Sequence, residues 1–239
     1  MGLNATSEKC ISVIIPVYNE AGIISDTVRH VRESIKGHSV EIVVADGGPG
    51  HATLAAVLDC DVIGVGCAPG RGVQMNAGAA MASGDILLFL HADTRLPSGW
   101  PDTVRAALTA PVAAGAFSLS IDSPRRSLAV IAYFANLRTR WQRIPYGDQA
   151  LFFTAEFFRE LGGFAPIPIM EDVELFRRIR NLGVPIHIVR DRVLTSPRRW
   201  ERDGVLKRTL SNWRLRIRYG IGVAPEVLAD EYQPHDKDA

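Results

Sequence analysis

Short apolar runs alternate with amphipathic stretches through the first half of the chain. Residues 10–17 are apolar and β-branched, reach Pro16 near their end, and lead to Asn19-Glu20 at the start of a helix running to about residue 36. Residues 40–45 form a second run, closed by the turn Asp46-Gly47-Gly48-Pro49-Gly50. Residues 53–58 read as helical, 62–65 as a third strand, 72–82 as a helix of small residues and 85–90 as a fourth strand. Runs this short and this apolar fit strands covered on both faces. Repeated β–α–β units of this length predict an α/β fold, a mostly parallel, doubly wound sheet flanked by helices.

The second half is less regular. Residues 97–108 read as a helix and 113–121 as a strand, and Asp122-Ser123-Pro124 is a helix start. That helix has an apolar centre, residues 128–134, flanked by Arg125, Arg126, Arg138, Arg140 and Arg143. Residues 149–153 are expected as a strand and 171–182 as a helix ended by Gly183 and Pro185. Asp203 caps a last helix whose Leu206, Leu210, Trp213 and Ile217 share one face, expected to be core. The organisation predicted is one domain over residues 10–197, with a first half to about 95 and a second from 96. A basic helical extension, 198–239, packs on it.

Composition narrows the class. Of 239 residues, 47% are hydrophobic and 22% charged, an ordinary globular balance, and a net charge of +1 gives no general attraction to nucleic acid. Charge is concentrated between Arg190 and Arg218, where ten Lys/Arg face three acids; such a run is either solvated surface or a seat for phosphates or an anionic membrane. Cys10, Cys60 and Cys67, an odd number, argue against a disulfide framework and are expected as small buried hydrophobes in a reducing compartment. Residues 1–9 lack a secretory apolar core, and residues 128–135 fall far short of the roughly 20 needed to span a bilayer. The expected location is cytoplasmic, with peripheral contact at the inner membrane surface open.

Candidate chemistry lies just past the strands. Asp93 follows the fourth run at the carboxyl end of a strand, where open α/β sheets bind ligands, and His91 is close enough in sequence to join it on one divalent cation. Tyr18 and Glu20 leave the first strand, the former suited to a base or ribose and the latter to hydroxyl or N–H donors, unless Glu20 only starts the helix. Asp46 ends the second strand before glycines that admit a ligand to the backbone. Arg71, within Gly70-Arg71-Gly72, opens a helix, where a cation sits poorly unless a phosphate or an acid faces it. Tyr146-Gly147-Asp148-Gln149 is either an acceptor wall or a plain turn. Arg198-Arg199-Trp200 offers two fixed cations and a stacking face, suited to a phosphate or sugar ring. No Gly-x-Gly-x-x-Gly follows the first strand, and no Walker lysine motif occurs.

In this order, Ile14-Ile15-Pro16-Val17-Tyr18-Asn19-Glu20, Val44-Ala45-Asp46-Gly47-Gly48, Gly70-Arg71-Gly72 with Asn76-Ala77-Gly78, Leu90-His91-Ala92-Asp93 and Gly162-Gly163-Phe164 before Met170-Glu171-Asp172 resemble the family-2 glycosyltransferases, over roughly residues 10–195. Phe-Leu-His-Ala-Asp-Thr, Tyr-Gly-Asp-Gln and Ser-Pro-Arg-Arg-Trp resemble a small bacterial subgroup with His-Ala-Asp in place of Asp-x-Asp. The resemblance implies a GT-A fold and a donor that is a nucleotide-diphospho-sugar, a UDP- or GDP-sugar. Pro16, Tyr18, Glu20, Asp46, Arg71 and Asp93 would bind this donor, and Mn²⁺ or Mg²⁺ would be held by Asp93 with His91. It implies Asp172 as the base of an inverting transfer, with Glu171 on the acceptor side. Gly147, Asp148, Gln149, Arg198, Arg199 and Trp200 are placed on that side by the reading of the residues themselves, and the basic run with the Arg-flanked helix suggests an anionic or lipid-linked acceptor. Two departures stand out: His91 replaces the first acid of the pair, and Pro49-Gly50-His51 replaces the usual Ser-x-Asp. A sugar nucleotidyltransferase is a second enzymatic reading, but residues 18–23 lack the glycine-rich basic loop it needs. A catalytically silent nucleotide-sugar-binding protein is the reading that His91 favours.

Overall fold

The computed structural model describes residues 8–232. An eight-stranded sheet runs β3-β2-β1-β4-β7-β6-β8-β5. Its strands are β1 (Ile11–Val17), β2 (Val40–Asp46), β3 (Ile63–Gly66), β4 (Ile86–Phe89), β5 (Thr94–Arg95), β6 (Ala114–Ile121), β7 (Leu151–Thr154) and β8 (Ile186–Thr195). The first four are parallel, in register so that Val17 lies beside Asp46 and Asp46 beside Gly66. Beyond β4 the sheet becomes mixed: β7 is antiparallel to both β4 and β6, and β8 pairs parallel with β6.

Alternate residues of each strand enter two cores. Val13, Ile15, Ile42, Val44 and Leu88 pack beneath α1 (Ile24–Ser34) and α4 (Trp100–Ala107). Ile14, Val43, Leu87 and Phe89 pack beneath α3 (Arg71–Met81) and α7 (Glu171–Asn181). The small residues of α3 have a steric cause: a Cβ at Gly78 would lie 2.5 Å from Cγ2 of Ile14, so the helix rests directly on β1. Two short helices complete this half of the fold: α2 (Ala52–Ala55) follows β2, and α6 (Ala155–Glu160) follows β7.

Three expectations are corrected, and a segment without an expected element is placed. Residues 186–195, to which the sequence pattern assigns no element, form a ten-residue strand, so Arg190 and Arg192 belong to the sheet. Gln149 lies in a 3-10 turn, Gly147–Gln149, before β7. Cys60 is exposed, and Cys10 and Cys67 are only partly buried. The largest change concerns α5 (Arg126–Gln142) and α9 (Val205–Gly220), of which α9 lies between α8 (Arg198–Asp203) and α10 (Pro225–Glu231). On α9, Leu206, Leu210, Trp213 and Ile217 share a face as expected, but that face is solvent-exposed. Helix α5 buries Leu128 and Ala132 of its apolar centre but turns other large apolar residues to solvent. Asn136 and Thr139 point inward, Asn136 bonding both backbone groups of Leu119, while Val130, Tyr133, Phe134, Leu137 and Trp141 point out. Among the described residues no helix is long and apolar enough to cross a membrane.

Candidate active site

The carboxyl ends of β1 and β4 and the N-terminus of α3 open on one cleft of about 740 Å³, closed on the far side by α8 and α10. After β1 the chain turns sharply at Asn19, whose φ of +53° is tolerated by asparagine, and presents Tyr18 and Glu20 to the cleft with Pro16 at its base. Arg71, His91, Asp93, Arg198 and Arg199 line the same space. Tyr18, Arg71 and Asp93 thus gather as the sequence predicts.

Asp46 shares that edge but lies below the cleft. It is fully buried, with Oδ1 accepting from the Gly48 N–H (2.7 Å) and Oδ2 from the Thr53 (3.1 Å) and Leu54 (3.2 Å) N–H groups. Both oxygens are occupied by the backbone of the following loop. Asp46 therefore anchors the departure from β2 where Pro49-Gly50-His51 has replaced the usual capping residues.

Arg198 is the principal surprise. Expected toward the acceptor, it reaches Glu20 through both terminal nitrogens (2.7 and 3.1 Å) and Asp93 Oδ2 through Nε (3.2 Å). It thereby ties α8 to the two strand-end carboxylates. Burial works against the ionised form of Asp93, while His91, Arg199 and Arg198 act the other way and together hold the carboxyl below its ordinary range. Burial, with Arg71 next in weight, drives His91 down to about 3, so its imidazole is neutral. Its Nε2 is buried with no hydrogen-bond partner. A largely buried carboxylate beside a neutral imidazole with a vacant nitrogen is a donor set that fits a divalent cation, Mn²⁺ better than the oxygen-seeking Mg²⁺. A second acid–histidine group, Glu8, His38 and Asp102, lies at the opposite edge of the sheet, before β1 and β2. The Arg105 guanidinium, 2.7 Å from Glu8, makes it an ion-pair cluster.

Behind the cleft lies the first turn of α7, entered through Met170 at φ +68°, a strained conformation for so large a residue. Glu171, 1% exposed, pairs with Arg71, while its second oxygen has no partner. Of the two origins considered for the Arg71 charge, an acid is therefore present. Asp172, 7% exposed, accepts from the Gly147 N–H (2.8 Å) and from the N–H of Val173 (2.7 Å). Gly147 is obligatory here: a Cβ would lie 2.8 Å from His91 Nε2 and 3.6 Å from Asp172 Oδ2, so imidazole and carboxylate flank one small space.

Two acceptor-side candidates prove to be scaffold. Gln149, 1% exposed, accepts from the Thr139 hydroxyl and Tyr146 N–H and donates to the Phe117 carbonyl, fixing the turn that carries Gly147. Trp200 packs against Ile121, Leu128 and Ala132 instead of offering a stacking face. Pro168, Ile169 and Tyr232 line the cleft and were not expected. Tyr232 carried no local signal, since α10 is brought to the cleft by tertiary packing, including that of Leu228 with Ile169 and Leu215.

Asp148 provides a pH signature. Burial, reinforced by Asp172, pushes its carboxyl up to about 6. An acid held above its unfolded value binds its proton more tightly when folded, so stability falls as pH rises from about 4 to about 6 and stays lowered above that. Asp148→Asn should match the parent near pH 4 and exceed it at pH 7 by on the order of 2 kcal/mol. Thermal unfolding at both pH values checks this; a difference that does not change with pH would contradict it.

The comparisons with known proteins agree with this geometry. The family model "Glycosyl transferase family 2" matches residues 12–165. An uncharacterized glycosyltransferase of Mycobacterium tuberculosis is 38% identical over 112 residues, 44% of this chain and 41% of its own length. The undecaprenyl-phosphate 4-deoxy-4-formamido-L-arabinose transferase of Pseudomonas fluorescens is 31% identical over 98 residues, 37% of this chain and 29% of its own. The chain therefore spans about two fifths or less of these relatives. A mannosyltransferase of Pyrobaculum calidifontis, solved with GDP-Man and Mn²⁺, superposes over 96% of this chain and 66% of its own (TM-score 0.63, 24% identity). Glucosyl-3-phosphoglycerate synthase of Mycobacterium tuberculosis, solved with Mn²⁺, UDP and glucosyl-3-phosphoglycerate, does so over 77% and 70% (TM-score 0.55, 20% identity). The fold is the GT-A fold, and the chain belongs to glycosyl transferase family 2.

Proposed function

We propose that this protein transfers a sugar from a nucleotide-diphospho-sugar, a UDP- or GDP-sugar, to a hydroxyl acceptor, with inversion and with Mn²⁺ or Mg²⁺. The observation that carries this is one cleft lined by Asp93, His91 and arginines, with the Asp172 carboxylate just behind it, one glycine away from His91. Tyr18, Pro16 and Glu20 receive the nucleoside, and Arg71 and Arg199 face its diphosphate. Asp93 and His91 would hold the cation, which supplies charge stabilisation for the departing diphosphate. For this to happen Arg198 leaves Asp93 and becomes a further partner for phosphate oxygens.

The transfer is a single displacement. The acceptor oxygen forms its bond to the anomeric carbon while that carbon's bond to the diphosphate oxygen breaks, the electron pair leaving with the nucleoside diphosphate. The acceptor proton passes to Asp172, each of whose oxygens keeps a lone pair beyond its backbone hydrogen bond. Attack from the face opposite the leaving group gives inversion. The acceptor is assigned as anionic or lipid-linked, reached at a membrane surface from the cytoplasmic side. Both the Pseudomonas relative's named substrate and the exposed basic helices favour this assignment.

Calorimetric titration with UDP-, GDP- and other nucleotide sugars tests the reading. At least one should bind more tightly with Mn²⁺ than without, and metal-independent binding, or none, would defeat it. The silent-binder reading rests on His91 alone. It predicts tight binding with no release of nucleoside diphosphate, whereas the enzymatic reading predicts slow donor hydrolysis.

A further inference from the structure

We infer that α5 and α9 together form a seat for an anionic lipid leaflet, with the protein lying on the membrane surface. The two helices are neighbours, since Arg138 of α5 and Arg216 of α9 both lie over the Tyr146 ring, at 3.7 and 5.4 Å. Each turns an apolar stripe to solvent at helical spacing: Phe134, Leu137 and Trp141 on α5, Leu210, Trp213 and Ile217 on α9. These six side chains are 52–83% exposed. Six large apolar side chains turned to solvent on two neighbouring helices point to a docking surface rather than chance exposure.

Charge selects the occupant. The two helices carry eight Lys/Arg and no Asp or Glu. Arg214 and Arg218 are paired with Glu231, and Arg208 with Asp203. Arg126, Arg138, Arg140, Lys207 and Arg216 have no acid within ion-pair distance among the described residues. A second copy docked face to face would set cation against cation. An anionic leaflet instead neutralises the arginines and accepts the apolar stripes, with Trp141 and Trp213 suited to the interfacial zone. No described helix can span the bilayer, so the contact lies in the plane of the surface.

The consequence for the enzyme rests on the proposed function; the surface itself does not. Tyr146, held beneath the two arginines, leads directly to Gly147 and the backbone N–H that holds Asp172. A leaflet seated on α5 and α9 therefore lies against the loop that bounds the acceptor side.

The test is flotation of the full chain with vesicles of phosphatidylcholine, with and without phosphatidylglycerol. Binding should require phosphatidylglycerol and weaken with salt. Trp141→Ser/Trp213→Ser should reduce the bound fraction about tenfold or more, as should Arg140→Gln/Lys207→Gln at moderate salt. All four positions are on the surface, so unchanged thermal unfolding confirms folding. Absence of binding at low salt would overturn the proposal, as would binding indifferent to the tryptophan pair. So would a stable dimer, by sedimentation, that the tryptophan pair dissolves. Donor calorimetry on the same variants should be unchanged. A chain that binds vesicles but no nucleotide sugar would defeat the enzymatic reading and leave this surface standing.

Discussion

Asp172→Asn should lower turnover by on the order of a hundredfold or more while leaving donor affinity close to that of the parent. Asparagine keeps the size of the side chain but cannot take a proton from the acceptor. It also faces two backbone N–H groups, of Gly147 and Val173, and has one oxygen to offer them. One hydrogen bond is therefore lost, at a cost of about 1 kcal/mol in stability, too little to unfold the helix terminus. Release of nucleoside diphosphate, followed alongside calorimetric donor binding, separates the chemical step from the binding step. Near-parental turnover, or a product of retained anomeric configuration, would remove Asp172 from its role.

The second large effect is on the metal. Asp93→Ala should abolish the dependence of nucleotide affinity on Mn²⁺, because the cleft-lining carboxylate proposed to hold the cation with His91 is gone. His91→Asp should preserve or strengthen that dependence, restoring a second hard oxygen ligand. The two variants move in opposite directions for the same reason, which a purely structural role for either residue would not produce. Titrations with and without Mn²⁺ decide it; an Asp93→Ala protein with parental metal dependence would show the cation to be held elsewhere.

The parallel half of the fold was legible because each strand is a short apolar run followed by glycine or a polar turn, and each crossover has ordinary length. Tyr18, Arg71, His91 and Asp93 followed from position alone, since parallel strands deliver their carboxyl ends to one edge. What escaped was non-local. β8 carries Arg-Asp-Arg in its middle, and its register with β6 shifts near that point, so alternation along the strand is broken. Arg198 sits 105 residues from its partner Asp93, and no spacing rule anticipates such a pair. Asp46 had the right position and the wrong orientation, its carboxylate turned under the loop it supports. Helix α9 displayed a correct apolar period, but period reports which residues share a face and not whether the face meets protein or solvent.

The Arg71–Glu171 pair makes the two sides of the cleft one thermodynamic system. In the proposed function Arg71 faces the donor and Glu171 belongs to the helix that carries Asp172, so a diphosphate that draws on the guanidinium would weaken the hold on a buried carboxylate next to the proposed base. Glu171 already leaves one oxygen without a partner. Linkage is reciprocal: whatever free energy donor occupancy takes from that helix turn, rearrangement of the turn by an acceptor must return to the donor. On the proposed function, affinity for either substrate would then depend on the other's occupancy, and a constant measured with one alone would describe half of the coupled system.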